Sequence, residues 1–255
     1  MTDAELAAAI ESAIQSGRLR IEDTWVSRRR RYFYMGVPKA ASSKIKMVLH
    51  QLEGYPLPAD PFDVHARSQP GLPYVDRLSA FSAREMVEIL SGPDWRRFAF
   101  VRNPYARLYS AYKNKSADLT SPYVGVRRTI WGLAGNPNPP EAAPPFEAFV
   151  RYVAELPDPD RDGHWRSQTG MLCLDLIDYG LLGRFETFAA DFASVLRGLD
   201  APDELRDGLD AVVGASVGLP AASAYDSALA QLVYGVYEAD FVTLGYGRDS
   251  WRDAA

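Results

Sequence analysis

The sequence predicts an α/β fold: a three-layer sandwich with a central parallel sheet and helices on both faces. Three short apolar segments, each followed by an apolar pattern at helical spacing, support that prediction: "YFYMGV", "RRFAFV" and "LLGRFE". Strands that alternate with helices form parallel sheets whose two faces are both covered. A chain of 255 residues is long enough for one sizeable core, so we expect a single domain over residues 1–255.

The first strand and its helix follow a helical N-terminal segment. Residues 1–27 are predicted to be a helical extension, because Leu6 and Ile10 begin an apolar pattern at helical spacing. An apolar, aromatic run predicts a strand over residues 32–37. A second pattern at helical spacing predicts a helix over residues 42–53.

A long loop separates this pair from the second strand. The Pro- and Gly-rich residues 54–73 predict a loop, and long loops in compact domains are often functional. Ser82 and Glu85 have capping-box spacing for a helix that runs through Leu90. The run "RRFAFV" then predicts a strand over residues 96–101.

The second half of the chain alternates helices with polar loops. Pro104 suits the first turn of a helix in "NPYARLYSAYKNK". The composition of residues 116–145, rich in Pro, Gly and Ser, predicts an irregular, exposed excursion or lid. Further helices are predicted in "FEAFVRYVAEL", from the end of "LLGRFE" through Leu199, over residues 203–213 and over residues 223–240. The segment "DPDRDGHWRSQ" is predicted to be a polar loop.

The composition excludes several classes of function. A net charge of −5 does not indicate a nucleic-acid-binding surface. Cys173 is the only cysteine, so no disulfide within the chain is expected, and the three histidines lack the spacing of a metal site. Asp3 and Glu5 stand where a signal peptide is basic, and no apolar run reaches the ~18 residues of a membrane span. We therefore expect a cytoplasmic protein with no metal, no nucleic-acid partner and no integral membrane segment.

The segment "FYMGVPKAASSKIKMVLHQL" has the layout of a P-loop-like phosphate-binding strand, loop and helix, although it lacks the usual glycines. The N-terminus of such a helix points backbone N–H groups, and the positive end of its dipole, at an anion. Lys39 adds a mobile positive charge, and two serines add hydroxyl donors. The residues of this candidate anion loop are Pro38, Lys39, Ala40, Ala41, Ser42, Ser43 and Lys44. Taken alone, the segment is also compatible with a serine-rich helix cap beside a solvated lysine.

A second candidate anion site lies in "FAFVRNPYARLYSAYKNK". Arg102 ends the predicted strand, and Ser110 lies two turns into the next helix on a face that it shares with Arg107. A strand-end arginine with a helical serine can clamp a phosphate, although each residue alone is common without that role. Ligands of parallel sheets bind at the carboxyl ends of the strands, where both loops are expected to lie.

With both loops described, the sequence resembles a known family. The segment "VPKAASSKIKMVL" is similar to the 5′-phosphosulfate loop of sulfotransferases, and "FAFVRNPYARLYSAYKNK" resembles their 3′-phosphate motif. The resemblance is to carbohydrate sulfotransferases that act on chondroitin, dermatan and related glycans, and more distantly to heparan sulfate 2-O-sulfotransferases. Further matches follow in the family's order: "VHARSQ", "LSAFSAREMVEIL", "HWRSQTGMLCLDLIDYGLLGRFETFAADFASVL" and "QLVYGVYEADFVTLGY".

The resemblance implies sulfuryl transfer from 3′-phosphoadenosine 5′-phosphosulfate (PAPS) to a hydroxyl, without a metal and with adenosine 3′,5′-bisphosphate (PAP) as product. It implies that Arg102 and Ser110 hold the 3′-phosphate and that Lys39 stabilises charge on the leaving phosphate oxygen.

The sequence departs from the family pattern in several places. Asn103 replaces a common acidic residue, Ala106 a common glutamate, and the "HW" motif continues without its common proline. Animal members are Golgi membrane proteins with a leading transmembrane helix and paired cysteines, and the 255 residues here contain neither. These departures leave the donor motifs intact and the acceptor undetermined.

The general base is predicted to be a histidine. We favour His65, which lies in the long loop in a "VH" context that resembles the family's catalytic region. Histidine's ordinary pKa of ~6.5 suits the removal of a hydroxyl proton near neutrality. His164 in "HW" is the alternative, although the neighbouring tryptophan is typical of a packed structural corner. An exposed loop histidine is the other interpretation of His65.

Other functions stay open at this point. A P-loop kinase-like nucleotide enzyme would share the fold, but the missing glycines of GxxxxGK[ST] disfavour it. A non-catalytic module that binds PAPS or PAP would share both anion loops. The acceptor is a carbohydrate or another small-molecule hydroxyl, and residues 116–168 are predicted to be an acceptor-side insertion. The basic cluster at residues 28–31 is predicted to be a solvated helix-to-strand junction, with binding of an anionic surface as the alternative.

Overall fold

A computed structural model describes residues 1–56, 75–136, 141–207, 209 and 221–254. The described residues group into two compact units. The first comes from Met1–Val101 and Met171–Ser216, and the second from Arg102–Gly170 and Val217–Ala255. The prediction of one domain over the whole chain stays a prediction.

The first unit contains a five-stranded mixed sheet. Its strands are β1 (Thr24–Ser27), β2 (Tyr32–Met35), β3 (Val75–Asp76), β4 (Arg96–Val101) and β5 (Leu181–Arg184). They lie in the order β3-β1-β2-β4-β5. The three predicted strands, β2, β4 and β5, form the parallel core, and β1 and β3 add antiparallel neighbours on one side. The predicted α/β class is therefore confirmed, with a mixed sheet around a parallel centre.

The described residues also form α-helices in both units. They are α1 (Asp3–Gln15), α2 (Ser42–Leu52), α3 (Ala83–Ser91), α4 (Pro104–Ala111), α5 (Val124–Leu133), α6 (Phe146–Glu155), α7 (Gln168–Leu172), α8 (Phe188–Gly198), α9 (Asp203–Asp207), α10 (Ser227–Val236) and α11 (Glu238–Leu244). Within the described ranges, no helix has the length and apolar character needed to cross a membrane.

Local sequence signals explain where several helices begin. The predicted capping box is present at α3, where the Ser82 hydroxyl accepts from the backbone N–H of Glu85 and the glutamate side chain returns the bond. Thr2 and Glu5 form the same motif at α1. Asn103 caps α4, whose first residue is Pro104 as predicted.

The basic cluster at residues 28–31 forms the turn of a β-hairpin. Residues 24–27, which were assigned to the helical extension, pair with β2 as strand β1, so the predicted helix-to-strand junction was wrong. Arg28 Nη1 lies 2.8 Å from the carboxylate of Glu85, and Arg31 Nη1 lies 3.0 Å from that of Asp94. These two arginines therefore already contact carboxylates of their own unit.

The sheet core is apolar on both faces. All four residues of β2 are buried, and alternate strand residues point to opposite faces, so both faces of β2 are covered. The Tyr34 and Phe98 rings stack with centroids 5.1 Å apart. On β5, a Cβ at Gly183 would collide with the ring of Phe100, so the sheet needs glycine at this position.

The second unit is helical where the sequence predicted irregular chain. Helix α5 lies inside the segment predicted to be an exposed excursion, and that expectation was wrong for this part. Ile130 is fully buried, and Arg127 donates to the carbonyls of Asp118 and Ser121 at 3.0 and 3.2 Å. An internal arginine that satisfies loop carbonyls orders the segment despite its Gly- and Ser-rich composition. Similarly, the helix predicted over residues 223–240 is divided into α10 and α11 at Tyr237.

Candidate functional site

The loop between β2 and α2 has a backbone shape that suits an anion. Lys39 and Ala41 have φ values of 69° and 63°, although neither is glycine. Left-handed residues that alternate with right-handed ones aim successive N–H groups into one concavity, which is a common anion-binding shape. Left-handed backbone at residues with side chains costs about 1–3 kcal/mol and clusters at functional sites. The loop thus adopts the geometry that glycines usually permit.

Helix α2 begins directly after these two residues. Its N-cap residue, Ala41, makes no side-chain capping hydrogen bond, and the first turn contains no acidic residue. The positive end of the helix dipole is therefore not offset by the helix's own first turn. Burial lowers the pKa of the Lys44 ammonium from its usual value. The candidate anion loop, Pro38 to Lys44, thus combines positive charge with exposed and half-buried donors.

Lys46 is a second charge that the sequence analysis missed. It is buried on α2, with its Nζ 5.8 Å from the centre of the Trp25 ring. A Cβ at Gly36, where the loop begins, would lie 3.7 Å from this nitrogen. The ammonium group therefore lies beside the start of the anion loop. The sequence signal for this residue is a lysine at a position where the helical pattern predicts a buried side chain.

The sheet brings the ends of two core strands to one edge. Strands β2 and β4 are adjacent and parallel, with Met35 opposite Ala99. Met35 leads into the anion loop, and Val101 at the end of β4 is followed in sequence by Arg102. The carboxyl ends of β2 and β4 therefore lie side by side in the first unit, as predicted.

In the second unit, the backbone of Arg102 is held by a buried amide. The Arg102 N–H donates to Gln168 Oε1 at 2.9 Å, and Gln168 Nε2 donates to the Arg102 carbonyl at 2.8 Å. Asp240 in turn accepts from the backbone N–H groups of Gln168 and Thr169, each at 2.8 Å. Sequence reasoning missed Gln168 and Asp240, because residues distant in the chain meet only in the folded unit.

Arg107 is an internal anchor of the same unit. It shares the face of α4 with Ser110, but it is only 2% exposed. Its guanidinium donates to the carbonyl oxygens of Arg166 and Gly163 at 2.7 and 2.9 Å. Burial lowers the pKa of this guanidinium from its usual value. Ser110 remains half-buried, so it is the more accessible of the two.

His164 lies between the two carbonyls that Arg107 holds. Its Nδ1 is 2.6 Å from Asp162 Oδ1, which also accepts from the His164 backbone N–H at 2.9 Å. The Tyr123 hydroxyl is 3.1 Å from Asp162 Oδ2 and 3.3 Å from His164 Nδ1. Although burial raises the pKa of Asp162, its hydrogen bonds with His164 outweigh that effect and lower the pKa to about 2. Asp162 was missed, although an aspartate two residues before its partner is a common local motif.

The other candidate residues have separate outcomes. His65 lies outside the described residues, so its role stays a prediction. His50 is buried on α2 with its ring centre 5.1 Å from that of Tyr55. Trp165 is buried and packs edge-on against Phe149, as expected for a structural corner.

Comparison with known proteins identifies relatives of the chain. A family model described as the sulfotransferase family matches residues 22–247. Carbohydrate sulfotransferase 8 of Mus musculus is 30% identical over 195 residues, covering 74% of this chain and 45% of that protein. Carbohydrate sulfotransferase 14 of Danio rerio is 29% identical over 187 residues, covering 71% and 49%.

Carbohydrate sulfotransferase 9 of Homo sapiens is 26% identical over 243 residues, covering 90% of this chain and 53% of that protein. The chain therefore spans about half the length of these curated relatives. No solved structure gives a significant match.

Proposed function

The chain belongs to the sulfotransferase family, and from that premise we propose that it transfers a sulfuryl group from PAPS to a hydroxyl of a carbohydrate acceptor. The observation that carries the proposal is the loop before α2, where two non-glycine residues hold left-handed backbone beside a helix end without a side-chain cap. Such a site suits an anion, and both of these residues are ones that the family resemblance assigns to the donor loop.

The residues of the first loop fit a phosphosulfate group. We propose that the backbone N–H groups of residues 40–44 and the hydroxyls of Ser42 and Ser43 hold it. Lys39 belongs to this loop, and the buried Lys46 places its ammonium group beside Gly36, just before the loop. An array of fixed donors is the arrangement that stabilises a developing oxyanion without reorganisation.

Arg102 and Ser110 are proposed to hold the 3′-phosphate of the same nucleotide. An arginine forms strong, charge-assisted hydrogen bonds to phosphate, and a hydroxyl adds a directional donor. The buried Gln168 fixes the Arg102 backbone on both its N–H and its carbonyl. Binding energy at this remote phosphate positions the reacting group.

The donor supplies an activated sulfuryl group, and the protein supplies orientation and charge. Sulfuryl transfer parallels phosphoryl transfer, in which catalysis rests on positioning and electrostatic stabilisation. Lys39 would stabilise the negative charge that forms on the leaving phosphate oxygen. We propose that this positive charge serves in place of a metal.

The acceptor is proposed from the relatives. Three of them are described as carbohydrate sulfotransferases, and we infer that this chain also acts on a carbohydrate hydroxyl. Residues 116–168, which carry α5, α6 and the His164 loop, are proposed to form the acceptor side.

Nucleotide selectivity tests the donor assignment. We expect calorimetry to show tighter binding of PAP than of AMP, because two separate sites serve two phosphates. Ser110→Ala should weaken PAP binding roughly 10- to 150-fold, the equivalent of one charged hydrogen bond of ~1.5–3 kcal/mol, and should leave AMP binding unchanged.

Ser12→Ala is the matched control, because Ser12 is an exposed serine on α1. It should bind PAP like the unmodified protein. Equal affinity of the unmodified protein for PAP and AMP would contradict the assignment of Arg102 and Ser110.

A further inference from the structure

We propose that the first unit binds a buried water molecule between Arg30, Tyr32 and Glu53, and that this water connects the arginine cluster to the end of α2. The site lies at the opposite end of α2 from the anion loop. The inference therefore does not depend on the proposed enzymatic function. It also gives an internal role to Arg30, the third residue of the basic cluster.

Glu53 carries the carboxylate of this site. It is the C-cap residue of α2, and its backbone N–H donates to the carbonyl of Leu49 at 3.0 Å. Its side chain is 0% exposed, and within the described part of the chain neither carboxylate oxygen has a direct hydrogen-bond partner. Buried polar groups in folded proteins are almost always bonded to protein or to an ordered water. These two oxygens therefore require a partner beyond the protein atoms described around them.

The Arg30 guanidinium faces this carboxylate across a gap. Arg30 Nε lies 4.0 Å from Glu53 Oε1, whereas a direct N–H···O bond is about 2.7–3.2 Å long. Nη1 of the same side chain donates to the carbonyl of Leu199, which follows α8, at 3.1 Å. The guanidinium is therefore fixed at Nη1, while its buried Nε has no direct partner among the described residues.

Tyr32 adds a third polar group. It is the first residue of β2, its side chain is fully buried, and its hydroxyl has no direct partner within the described ranges. Burial, and then the nearby charge of Glu53, raise the pKa of this hydroxyl well above its usual value. The hydroxyl therefore keeps its proton at neutral pH and is available as a donor beside the carboxylate.

One water molecule fits the spacing of these groups. Two atoms that share a water at about 2.8 Å each lie about 4–5 Å apart, which matches the separation of Arg30 Nε and Glu53 Oε1. Folded proteins contain about one buried water per 27 residues, typically with two to four polar partners. The water accepts a hydrogen bond from Arg30 Nε and donates one to Glu53 Oε1, and the Tyr32 hydroxyl is its third partner.

The charges of the site favour water over an ion. A cation would be attracted by the Glu53 carboxylate but would lie close to the Arg30 guanidinium, and like charges repel strongly where water is excluded. An anion would be repelled by the carboxylate for the same reason. A small neutral molecule that both accepts and donates satisfies the two groups at once, and water is the smallest one.

This water connects three elements of the first unit. Arg30 belongs to the turn between β1 and β2, Tyr32 begins β2, and Glu53 follows the last residue of α2. Strand β2 leads into the anion loop and α2 leaves it, so the water joins the two elements at their far ends. The basic cluster thus makes an internal contact in addition to the ion pairs of Arg28 and Arg31.

A high-resolution crystal structure of the unmodified protein tests the site directly. We expect one ordered water about 2.7–3.2 Å from both Arg30 Nε and Glu53 Oε1. A direct hydrogen bond between those two atoms would overturn the proposal. Density without any atom between the two side chains, or a metal ion recognised by its anomalous scattering, would also overturn it.

Nuclear magnetic resonance tests the same water in solution. In the nitrogen-labelled protein, the Nε–H signal of Arg30 is identified by its loss in Arg30→Lys. That signal should show a cross-peak to a long-lived bound water. An Arg30 Nε–H signal without this cross-peak would contradict the proposal.

Thermal unfolding distinguishes water from a bound cation. The melting temperature of the unmodified protein should be equal in sodium, potassium and choline chloride at one ionic strength, because no cation occupies the site. If one cation raised the melting temperature of the unmodified protein but not that of Glu53→Gln, the site would be a cation site and the proposal would be wrong.

Substitution measures how much the site contributes to stability. Glu53→Leu removes the carboxylate that faces a largely buried arginine, and it should lower the melting temperature by roughly 5–20 °C. Glu88→Leu is the matched control, because this glutamate is exposed on α3, and it should change the melting temperature little.

The double variant Arg30→Met with Glu53→Leu should recover part of the loss, because no buried charge is then left without its partner. A melting temperature of Glu53→Leu equal to that of the Glu88→Leu control would overturn the proposal.

Discussion

At the scale of single residues, the left-handed backbone of Lys39 and Ala41 is the most informative feature. Left-handed backbone angles at residues with a Cβ cost about 1–2 kcal/mol each. Two such residues in one short loop therefore indicate that the loop conformation has a function. An anion site supplies one, since the resulting concavity collects backbone N–H groups. The strain and the proposed donor site therefore occupy the same residues.

Replacing Ala41 by glycine tests this strain. Ala41→Gly should raise the free energy of unfolding by about 0.5–1 kcal/mol, because the relief of left-handed strain exceeds the added entropy of the unfolded chain. Denaturant unfolding measures the change, and PAP affinity should be retained.

Ala40 provides the control, because it lies between the two strained residues without a positive φ. Ala40→Gly should lower the free energy of unfolding by about 0.5–1 kcal/mol. A lower stability in both variants would show that Ala41 is not strained.

Some of the site could be predicted residue by residue, and some could not. The anion loop is contiguous in sequence, so Lys39 and its serines were visible as a motif. Asp162 was not identified, although it lies two residues before His164, because only the folded loop shows which carboxylate meets the ring. The role of Lys46 also required the structure, since its ammonium group lies beside Gly36 only after α2 packs.

At the scale of elements, two hydrogen bonds between the Gln168 side chain of α7 and the Arg102 backbone hold the residue that precedes α4; we call this pair of bonds the Gln168 bracket. Gln168 is fully buried and satisfies both backbone groups of Arg102. Its own N–H is held by Asp240 at the start of α11. Two other segments of the second unit, α7 and α11, therefore fix the backbone of one arginine.

Replacing Gln168 should lower both the free energy of unfolding and the affinity for PAP. Gln168→Ala leaves the buried N–H and carbonyl of Arg102 without this partner, which should cost about 1–3 kcal/mol in the free energy of unfolding. PAP affinity should fall because Arg102 loses its fixed position. Unfolding in denaturant and calorimetry measure the two effects.

Gln15→Ala, at the exposed end of α1, is the comparison and should change neither property. If Gln168→Ala weakened PAP binding no more than this control, the hydrogen bonds from Gln168 would not be needed for Arg102 to bind PAP.

The elements themselves were predicted where they carry strong local signals. Capping residues and apolar periodicity located α1, α2, α3 and α6, and buried apolar runs located β2, β4 and β5. Strand β1 was missed because its four residues have no polar alternation and precede an arginine cluster. Helix α5 was missed because its order depends on the buried Arg127, which donates hydrogen bonds to the backbone carbonyls of Asp118 and Ser121.

At the scale of the whole molecule, the family match over residues 22–247 includes residues from both compact units. The anion loop belongs to the first unit, and Arg102, Ser110 and His164 belong to the second. We expect PAP to bind the folded chain and not the unfolded chain. Ligand binding should therefore stabilise the whole chain, by about 2.7 kcal/mol at PAP concentrations 100-fold above its Kd.

Transfer of label from PAPS to a carbohydrate, measured with and without a chelator, tests directly whether the protein is a metal-independent sulfotransferase. The proposed function predicts a labelled glycan, no loss of rate with the chelator, and a ~100- to 1000-fold lower kcat in Lys39→Ala with a much smaller change in PAP affinity. Binding of PAP without transfer to any acceptor, or magnesium-dependent turnover of ATP instead, would contradict it.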